Sequence, residues 1–258
     1  MTRFPALFVS HGPPTIVVEP LAVADFLRRL GPELGAPRAI LCVSAHWEAA
    51  PLRIATAARP ETIHDFYGFP EPLYRLRYPA PGAPALARRA AGLVTGAGFD
   101  CETDGERGLD HGAWQPLMLM YPAADVPVAQ LSIEAGDDAT RHLALGRALA
   151  PLRDDGVLVL ASGNVTHNLA ERGARDDPAL PWAAAFDDWL VEMVEGGREG
   201  DLVQYLNLAP EARRNHPTAD HFLPLLVALG AGGPGARGRR LHASFAYASL
   251  SMAAFAFS

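Results

Sequence analysis

Four short apolar runs are the clearest pattern along the chain. They are nearly continuous in aliphatic and small residues rather than alternating with polar ones, and they cover Ala6–Ser10, Ala39–Ser44, Val126–Ile133 and Val157–Ser162. A strand covered on both faces has this composition, whereas a half-exposed strand alternates between apolar and polar residues. The runs therefore predict the buried strands of a sheet that is packed between two layers.

Helical patterns lie between these runs. Apolar residues recur at helical spacing in Leu21–Leu30, Ala85–Val94, Thr140–Leu152 and Trp182–Val194. The C-terminal segment Leu241–Phe257 is apolar and partly alternating, and we expect closing strands there. Alternating strand and helix signals predict an α/β fold with a central, mostly parallel or mixed sheet flanked by helices. We expect one catalytic domain over residues 1–258, because the Gly- and Pro-rich stretch Ala231–Gly238 has the character of a surface loop.

Composition excludes several classes of function. The net charge is −7 and the basic residues are scattered, which disfavours nucleic acid as a partner. We expect no membrane partner, because no stretch approaches the roughly 20 apolar residues that span a bilayer. The two cysteines, Cys42 and Cys101, are too few for a disulfide framework or a thiolate zinc site. The first apolar run is too short for a signal peptide, so we expect a cytoplasmic protein.

Histidines follow three of the four predicted strands. His11 comes directly after the first strand, His46 two residues after the second, and His167 five residues after the fourth. Ligands of open α/β sheets bind beyond the carboxyl ends of the strands, and imidazole is a common ligand of zinc and iron. The pattern predicts one site at that edge, although a strand-end histidine that bonds a loop carbonyl would have the same position.

Three further histidines have informative neighbours. His221 precedes an apolar, helix-like run, where it could ligate a metal or cap the fold, and Asp220 beside it could be a helix cap or a carboxylate ligand. His111 lies between Asp110, which could orient its ring, and a glycine that leaves space for a ligand. His64 belongs to an aromatic loop. Since GxGxxG, Walker, HExxH and GxSxG motifs are absent, the residues alone predict a histidine-rich metal site without defining its reaction.

The order of these motifs resembles the class III extradiol ring-cleavage dioxygenases, and in particular their 4,5-DOPA dioxygenase extradiol-like branch. The similar segments run in sequence through nearly the whole chain: FVSHGPP at Phe8–Pro14, SAHWE at Ser44–Glu48, TIHDFYGFP at Thr62–Pro70, YPAPG at Tyr78–Gly82, GLDHGAW at Gly108–Trp114, MYPAADVPVAQLSI at Met120–Ile133, SGNVTHNL at Ser162–Leu169 and PTADHFLPLL at Pro217–Leu226.

The resemblance implies roles for five histidines. The metal-ligand positions of the family are matched by His11, His46 and His221. His167 matches the position of the catalytic acid/base, and His111 matches a second catalytic histidine near the substrate and oxygen. The wider class uses two histidines and a glutamate; here His221 takes the third position, with Asp220 where close relatives have glutamate. Fe(II) is the implied cofactor, while an all-histidine set would also accept Zn(II).

The implied reaction opens the ring of a small, DOPA-like catechol with O2. The predicted substrate contacts are His64, Trp47, Tyr67 and Trp114. Phe66 and Phe69 could also line the pocket for the aromatic ring, although aromatic residues are also common in the core. Two alternatives stay open: a zinc-dependent hydrolase, and a metal- or phenol-binding module without oxygenase activity. A homo-oligomer is compatible with this sequence.

Overall fold

A computed structural model describes residues 3–136 and 138–258. Its strands are β1 (Ala6–Ser10), β2 (Ala39–Ala49), β3 (Leu52–Ala55), β4 (Cys101–Asp104), β5 (Val128–Glu134), β6 (Val157–Gly163), β7 (Gly238–His242), β8 (Phe245–Ala246), β9 (Leu250–Ser251) and β10 (Ala254–Phe257). Its α-helices are α1 (Ala22–Leu34), α2 (Pro84–Gly96), α3 (His111–Met120), α4 (Ala139–Leu149), α5 (Pro181–Glu195), α6 (Glu199–Leu202), α7 (Tyr205–Leu208), α8 (Ala212–Asn215) and α9 (Leu223–Gly232). Short 3-10 helices cover Glu71–Arg75, Ala150–Asp155 and Leu169–Glu171.

One mixed sheet runs through the molecule in the order β4-β3-β5-β2-β6-β1-β10-β7. The inner strands β5, β2, β6 and β1 are parallel, and every residue of β1 and β6 is buried, which explains their continuous apolar sequences. The C-terminal segment supplies β7 and β10, which pair antiparallel at one side, as predicted. The predicted α/β class with a mixed sheet flanked by helices is confirmed.

Helices cover both faces of this sheet. Along β1, Phe8 belongs to the apolar core that also includes side chains of α2, α4, α5 and α9, whereas Leu7 and Val9 belong to the core that includes those of α1 and α3. This division follows from the alternation of side chains along a strand. Among the described residues, no helix combines the length and the apolar character needed to cross a bilayer.

Two elements near the candidate site differ from the sequence-based prediction. Strand β2 continues past Ser44 to Ala49, with a register irregularity between Ser44 and Glu48 against β5, so His46 lies within the strand rather than in a loop after it. Helix α3 was not predicted, because it contains Pro116 and is buried on nearly all sides, which leaves no apolar stripe. Both elements bring histidines to the carboxyl end of the parallel strands.

Candidate active site

Five histidine rings converge beyond the carboxyl ends of the parallel strands. His11 follows β1, His46 lies in the irregular part of β2, His111 begins α3, His167 follows β6 and His221 precedes α9. The ring centroids of His11, His46 and His221 lie 4.9–5.2 Å from one another. The structure thus brings together the three rings that the sequence suggested as metal ligands, from three separate elements.

The ring of His11 is fixed by the neighbouring strand β6. Its backbone N–H donates to the Gly163 carbonyl at 3.0 Å, and its Nδ1 lies 3.0 Å from Ser162 Oγ. The Ser162 hydroxyl itself donates to the Gly112 carbonyl, so Ser162 Oγ accepts a hydrogen bond from the Nδ1–H of His11. The lone pair therefore stays on Nε2, which faces the other rings. Burial, reinforced by the neighbouring histidines, holds the pKa of His11 well below its ordinary value, so the ring is neutral.

His46 approaches His11 closely. The two Nε2 atoms are 3.0 Å apart, and on its far side His46 Nδ1 lies 3.4 Å from Oδ2 of Asp65. Burial, reinforced by neighbouring imidazoles, lowers the pKa of His46 despite this carboxylate. Space for the ring depends on Gly112, where a Cβ atom would lie 2.5 Å from Ser44 Oγ and 3.0 Å from His46 Cδ2.

His221 is oriented by its neighbour Asp220, whose Oδ2 lies 2.5 Å from His221 Nδ1. Burial alone would raise the pKa of Asp220, but the hydrogen bond with His221 lowers it below its ordinary value. The opposite nitrogen, Nε2, is buried and has no hydrogen-bond partner among the described residues. Asp220 does not cap α9, because Phe222 occupies the N-cap position. Its carboxylate holds the imidazole instead.

These three imidazoles fit a divalent cation. Their facing nitrogens lie within 4.8 Å of one another, and each Nδ1 lies within 3.4 Å of an oxygen of Ser162, Asp65 or Asp220. A proton on each Nδ1 leaves three lone pairs directed at one another, and a buried polar atom without a partner costs about 1–3 kcal/mol. A shared cation removes that cost, and oxygen partners on the outer nitrogens are the usual environment of histidine ligands.

Asp65 joins His46 to a second histidine, His111. Its Oδ1 accepts the His111 backbone N–H at 2.9 Å and lies 3.0 Å from His111 Nδ1, and the His46 and His111 ring centroids are 3.9 Å apart. Burial would raise the pKa of Asp65, but its contacts with His111 lower it to about 2, so the carboxylate is charged. One anion therefore lies beside the Nδ1 atoms of two rings of the site. The role of Asp65 was not evident from the sequence.

Asp110, which we expected to orient His111, instead caps the N-terminus of helix α3. It is the N-cap of α3 and accepts the Ala113 N–H at 3.2 Å, and Ser44 Oγ donates to it at 2.7 Å. Gln130 and Arg107 also donate to this fully buried carboxylate. Asp110 thus fixes the start of the helix that carries His111, while Asp65 holds the ring.

His167 stacks on His221 and lines the same cavity. The ring centroids are 3.4 Å apart with 10° between the planes, and the His167 backbone N–H donates to the Asn215 carbonyl at 2.9 Å. Burial, with a smaller contribution from His221, lowers the pKa of His167 to about 2. Neither ring nitrogen bonds to a side chain or carbonyl within the described part of the chain. The neutral ring is free to accept a proton from a ligand.

The five rings line a cavity of about 360 Å³, within the size range of pockets for small molecules. One side of this cavity is aromatic and comes from the loop that also supplies Asp65. Asn164 and Arg172, which the sequence analysis did not single out, contribute polar groups on the side of β6. The lining comprises His11, Gly12, Pro13, Pro14, His46, Phe66, Tyr67, Phe69, His111, Asn164, His167, Leu169, Arg172, His221 and Leu250.

Comparison with known proteins identifies the family. The model of the family described as catalytic LigB subunit of aromatic ring-opening dioxygenase matches residues 5–258. This chain belongs to the LigB family. A family of ring-opening dioxygenases implies a metal cofactor, and the histidine cluster could hold one.

Similar LigB-family proteins are known from plants and bacteria. A 4,5-DOPA dioxygenase extradiol of Beta vulgaris is 42% identical over 254 residues, which cover 97% of this chain and 95% of that protein. A protein of the same name from Escherichia coli (strain K12) is 43% identical over 235 residues, covering 89% and 86%. A crystal structure of an uncharacterized Escherichia coli K12 protein has a TM-score of 0.84 at 35% identity, covering 99% of this chain and all of that one. The predicted extradiol ring-opening activity is confirmed at the level of the family.

Three predicted substrate contacts lie outside the lining of the LigB-family cavity. Trp47 is buried with the Arg107 guanidinium 4.9 Å above its ring, and Trp114 is fully buried and donates to the Ile63 carbonyl at 2.9 Å. His64 Nε2 lies 3.1 Å from the Leu76 carbonyl oxygen. In this structure these three side chains therefore do not line the cavity, and their contact with substrate stays a prediction.

The fourth predicted contact and two further aromatic residues do line the cavity. Tyr67 is 92% exposed at its mouth, while Phe66 and Phe69 lie against each other with ring centroids 5.5 Å apart. The loop Thr62–Pro70 therefore divides its side chains, with Asp65 toward the histidines and the three aromatic residues along the cavity.

Proposed function

We propose that this LigB-family enzyme opens the ring of a small, DOPA-like catechol beside its diol with O2, using Fe(II) held by His11, His46 and His221. The observation that carries the proposal is the convergence of three imidazoles, whose facing nitrogens lie within 4.8 Å of one another, at the inner end of a cavity of about 360 Å³. The names of the 4,5-DOPA dioxygenases to which the chain is similar support the catechol class.

Iron is favoured over zinc by the chemistry of the family. Bound iron would supply the redox activity that a reaction with O2 requires, whereas zinc is redox-inert. The nitrogens of His11, His46 and His221 suit either ion. Zinc could therefore occupy the same ligands in purified protein without supporting turnover.

His167 is proposed as the acid/base. Its ring is neutral and lines the cavity, so a ring nitrogen can accept a proton from a catechol hydroxyl and return it when the ring opens. The carboxylate of Asp220 favours the protonated ring electrostatically, and an anionic catechol adjacent to His167 adds to that effect. Stacking on His221 keeps the base next to the proposed metal ligand.

His111 is proposed to contact the oxygen atoms of the reactants. Asp65 is within 3.0 Å of its Nδ1, which leaves Nε2 as the ring nitrogen available to substrate. Phe66, Phe69 and Tyr67 offer apolar surface to the catechol ring. Such a surface also displaces water from the reacting groups.

The proposed setting is the reducing cytoplasm. Both cysteines, Cys42 and Cys101, are free thiols, and that compartment keeps thiols reduced. It would also favour the ferrous state of the cofactor.

Anaerobic reconstitution tests the proposed function. Protein loaded with Fe²⁺ and mixed with a catechol should form a ring-opened product once 18O2 is admitted, and mass spectrometry should find both labelled atoms in it. Zinc-loaded protein should be inert in the same assay. Absence of ring opening with every catechol tried, or activity of the zinc form as a hydrolase, would overturn the proposal.

A further inference from the structure

A positively charged side chain, that of Arg172, lies at the mouth of the cavity. Among the described residues that line the cavity, Arg172 is the only one that is charged irrespective of pH in the physiological range, and it is exposed to solvent. It follows the 3-10 helix Leu169–Glu171, five residues after His167. Its backbone is therefore close in sequence to the proposed acid/base, on the side of the cavity formed after β6.

Neighbouring charges are compensated by other groups. The two oxygens of Glu171 accept from Arg214 at 2.6–3.1 Å, and Asn168 also donates to this carboxylate. Arg175 pairs with Asp176 at 2.8 Å. The nearby carboxylates are thus engaged with other partners.

Arg172 itself has no such partner. Over residues 3–136 and 138–258, its guanidinium forms neither a hydrogen bond nor an ion pair. The acidic groups near the histidines do not compensate it either, because Asp65 and Asp220 are directed at imidazole rings. In a chain with net charge −7, an unpaired cation therefore stands at the entrance to the cavity.

We propose that Arg172 is a specificity-determining residue that binds an anionic substituent, such as a carboxylate, on the catechol. The guanidinium presents paired N–H donors that match the two oxygens of a carboxylate. The diol would lie at the histidines, the ring against Phe66 and Phe69, and the anionic group at Arg172. This inference rests on the proposed function and extends it, because it assigns a negative charge to the substrate.

The test compares matched catechols that differ in charge. We would measure kcat and KM of iron-loaded protein for 3-(3,4-dihydroxyphenyl)propionate, its neutral methyl ester and cationic dopamine. Arg172→Gln should raise KM for the carboxylate about 5- to 30-fold, as expected for a partly exposed charged hydrogen bond, and leave the ester unchanged. Arg172→Lys should retain part of the preference. Arg175→Gln is the matched control, since that arginine is paired and lies outside the cavity lining.

Equilibrium binding separates this inference from the proposed function. Calorimetric titration of the same three catechols into anaerobic, zinc-loaded protein requires no turnover, and Arg172→Gln should weaken binding of the carboxylate alone. Equal effects on the carboxylate and the ester, or no effect on either, would overturn the role of Arg172. Failure of every catechol to be cleaved, with charge-selective binding intact, would overturn the dioxygenase reaction and leave the role of Arg172 standing.

Discussion

The inner end and the mouth of the cavity are built differently. At the inner end, His11 and His221 are 1% and 4% exposed, and each Nδ1 of the His11, His46 and His221 set lies next to an oxygen atom that orients it. At the mouth, Tyr67 and Leu169 are 92% and 51% exposed and Arg172 is unpaired within the described residues. Burial and hydrogen bonds fix the nitrogen positions at the inner end, where a cation would bind. At the mouth, where a variable substituent of the substrate would enter, the side chains are exposed.

The difference suggests a division of tasks. The inner histidines come from elements distant in sequence, so their geometry depends on the whole sheet and on α9. The mouth depends on two short segments, of which one supplies Tyr67 and the other Leu169 and Arg172. We therefore expect changes at the inner end to affect metal binding and turnover for every substrate, and changes at the mouth to affect only the choice of substrate.

The largest effect is expected for His46→Ala. Removing one of three imidazoles should abolish stoichiometric metal binding and with it turnover, because the two remaining ligands leave the cation weakly held. Metal content by elemental analysis after dialysis tests this. The matched control is His242→Ala, since His242 stacks on Phe26 away from the cavity. A full metal complement in His46→Ala would remove His46 from the proposed ligand set.

The variant His167→Ala separates two functions of the inner end, metal binding and proton transfer. We expect the variant to keep its metal and to have a kcat lowered at least tenfold, because acid/base steps commonly contribute about 10²-fold or more. Metal analysis and steady-state kinetics on the same preparation distinguish the two functions. Unchanged turnover would refute the acid/base assignment, and loss of metal would make His167 a ligand.

Asp65→Asn is expected to have an intermediate effect. The amide is nearly the same size but lacks the negative charge that orients both His46 and His111, and loss of such an outer partner typically costs about 10- to 100-fold in metal affinity or activity. Competition with a chelator would measure the affinity. Asp25→Asn, which changes an exposed surface pair with Arg28, is the control. If both variants bind metal equally well, Asp65 has no orienting role.

Tyr67→Ala should have the smallest effect. Because this side chain is 92% exposed, the free energy of unfolding should change by no more than about 0.5 kcal/mol. Metal affinity should stay as in the unaltered protein, with a few-fold rise in KM from the lost apolar contact. Chemical denaturation and kinetics test the two parts. A loss of metal binding would contradict the division between inner end and mouth.

Part of the histidine site could be predicted from local sequence patterns. Buried parallel strands leave continuous apolar runs, so the positions of His11 and His167 after β1 and β6 could be read from the sequence. The position of Trp47 outside the cavity lining was not predictable in this way, because β2 was expected to end at Ser44 and instead continues through His46 and Trp47. The family resemblance, rather than any local pattern, suggested His221 as the third ligand.

Contacts between distant segments were not predictable. Asp65 comes from a loop without regular structure and reaches His46 and His111 only because β2, α3 and that loop meet. The register irregularity that keeps His46 inside β2 depends on pairing with β5, and no single segment encodes it. Arg172 resembles any surface arginine until the partners of Glu171 and Arg175 are known.

A crystal structure of the anaerobic, Fe²⁺-loaded protein, with anomalous diffraction recorded at the iron edge, tests the central claim most directly. The account predicts a single peak about 2.0–2.2 Å from the Nε2 atoms of His11, His46 and His221, as is usual for metal–imidazole bonds. Two other groups, His46 with Asp65 and His111, and His167 with Asp220 and His221, also bring ligand atoms within 4.8 Å of one another. A peak at either of these groups instead would contradict it.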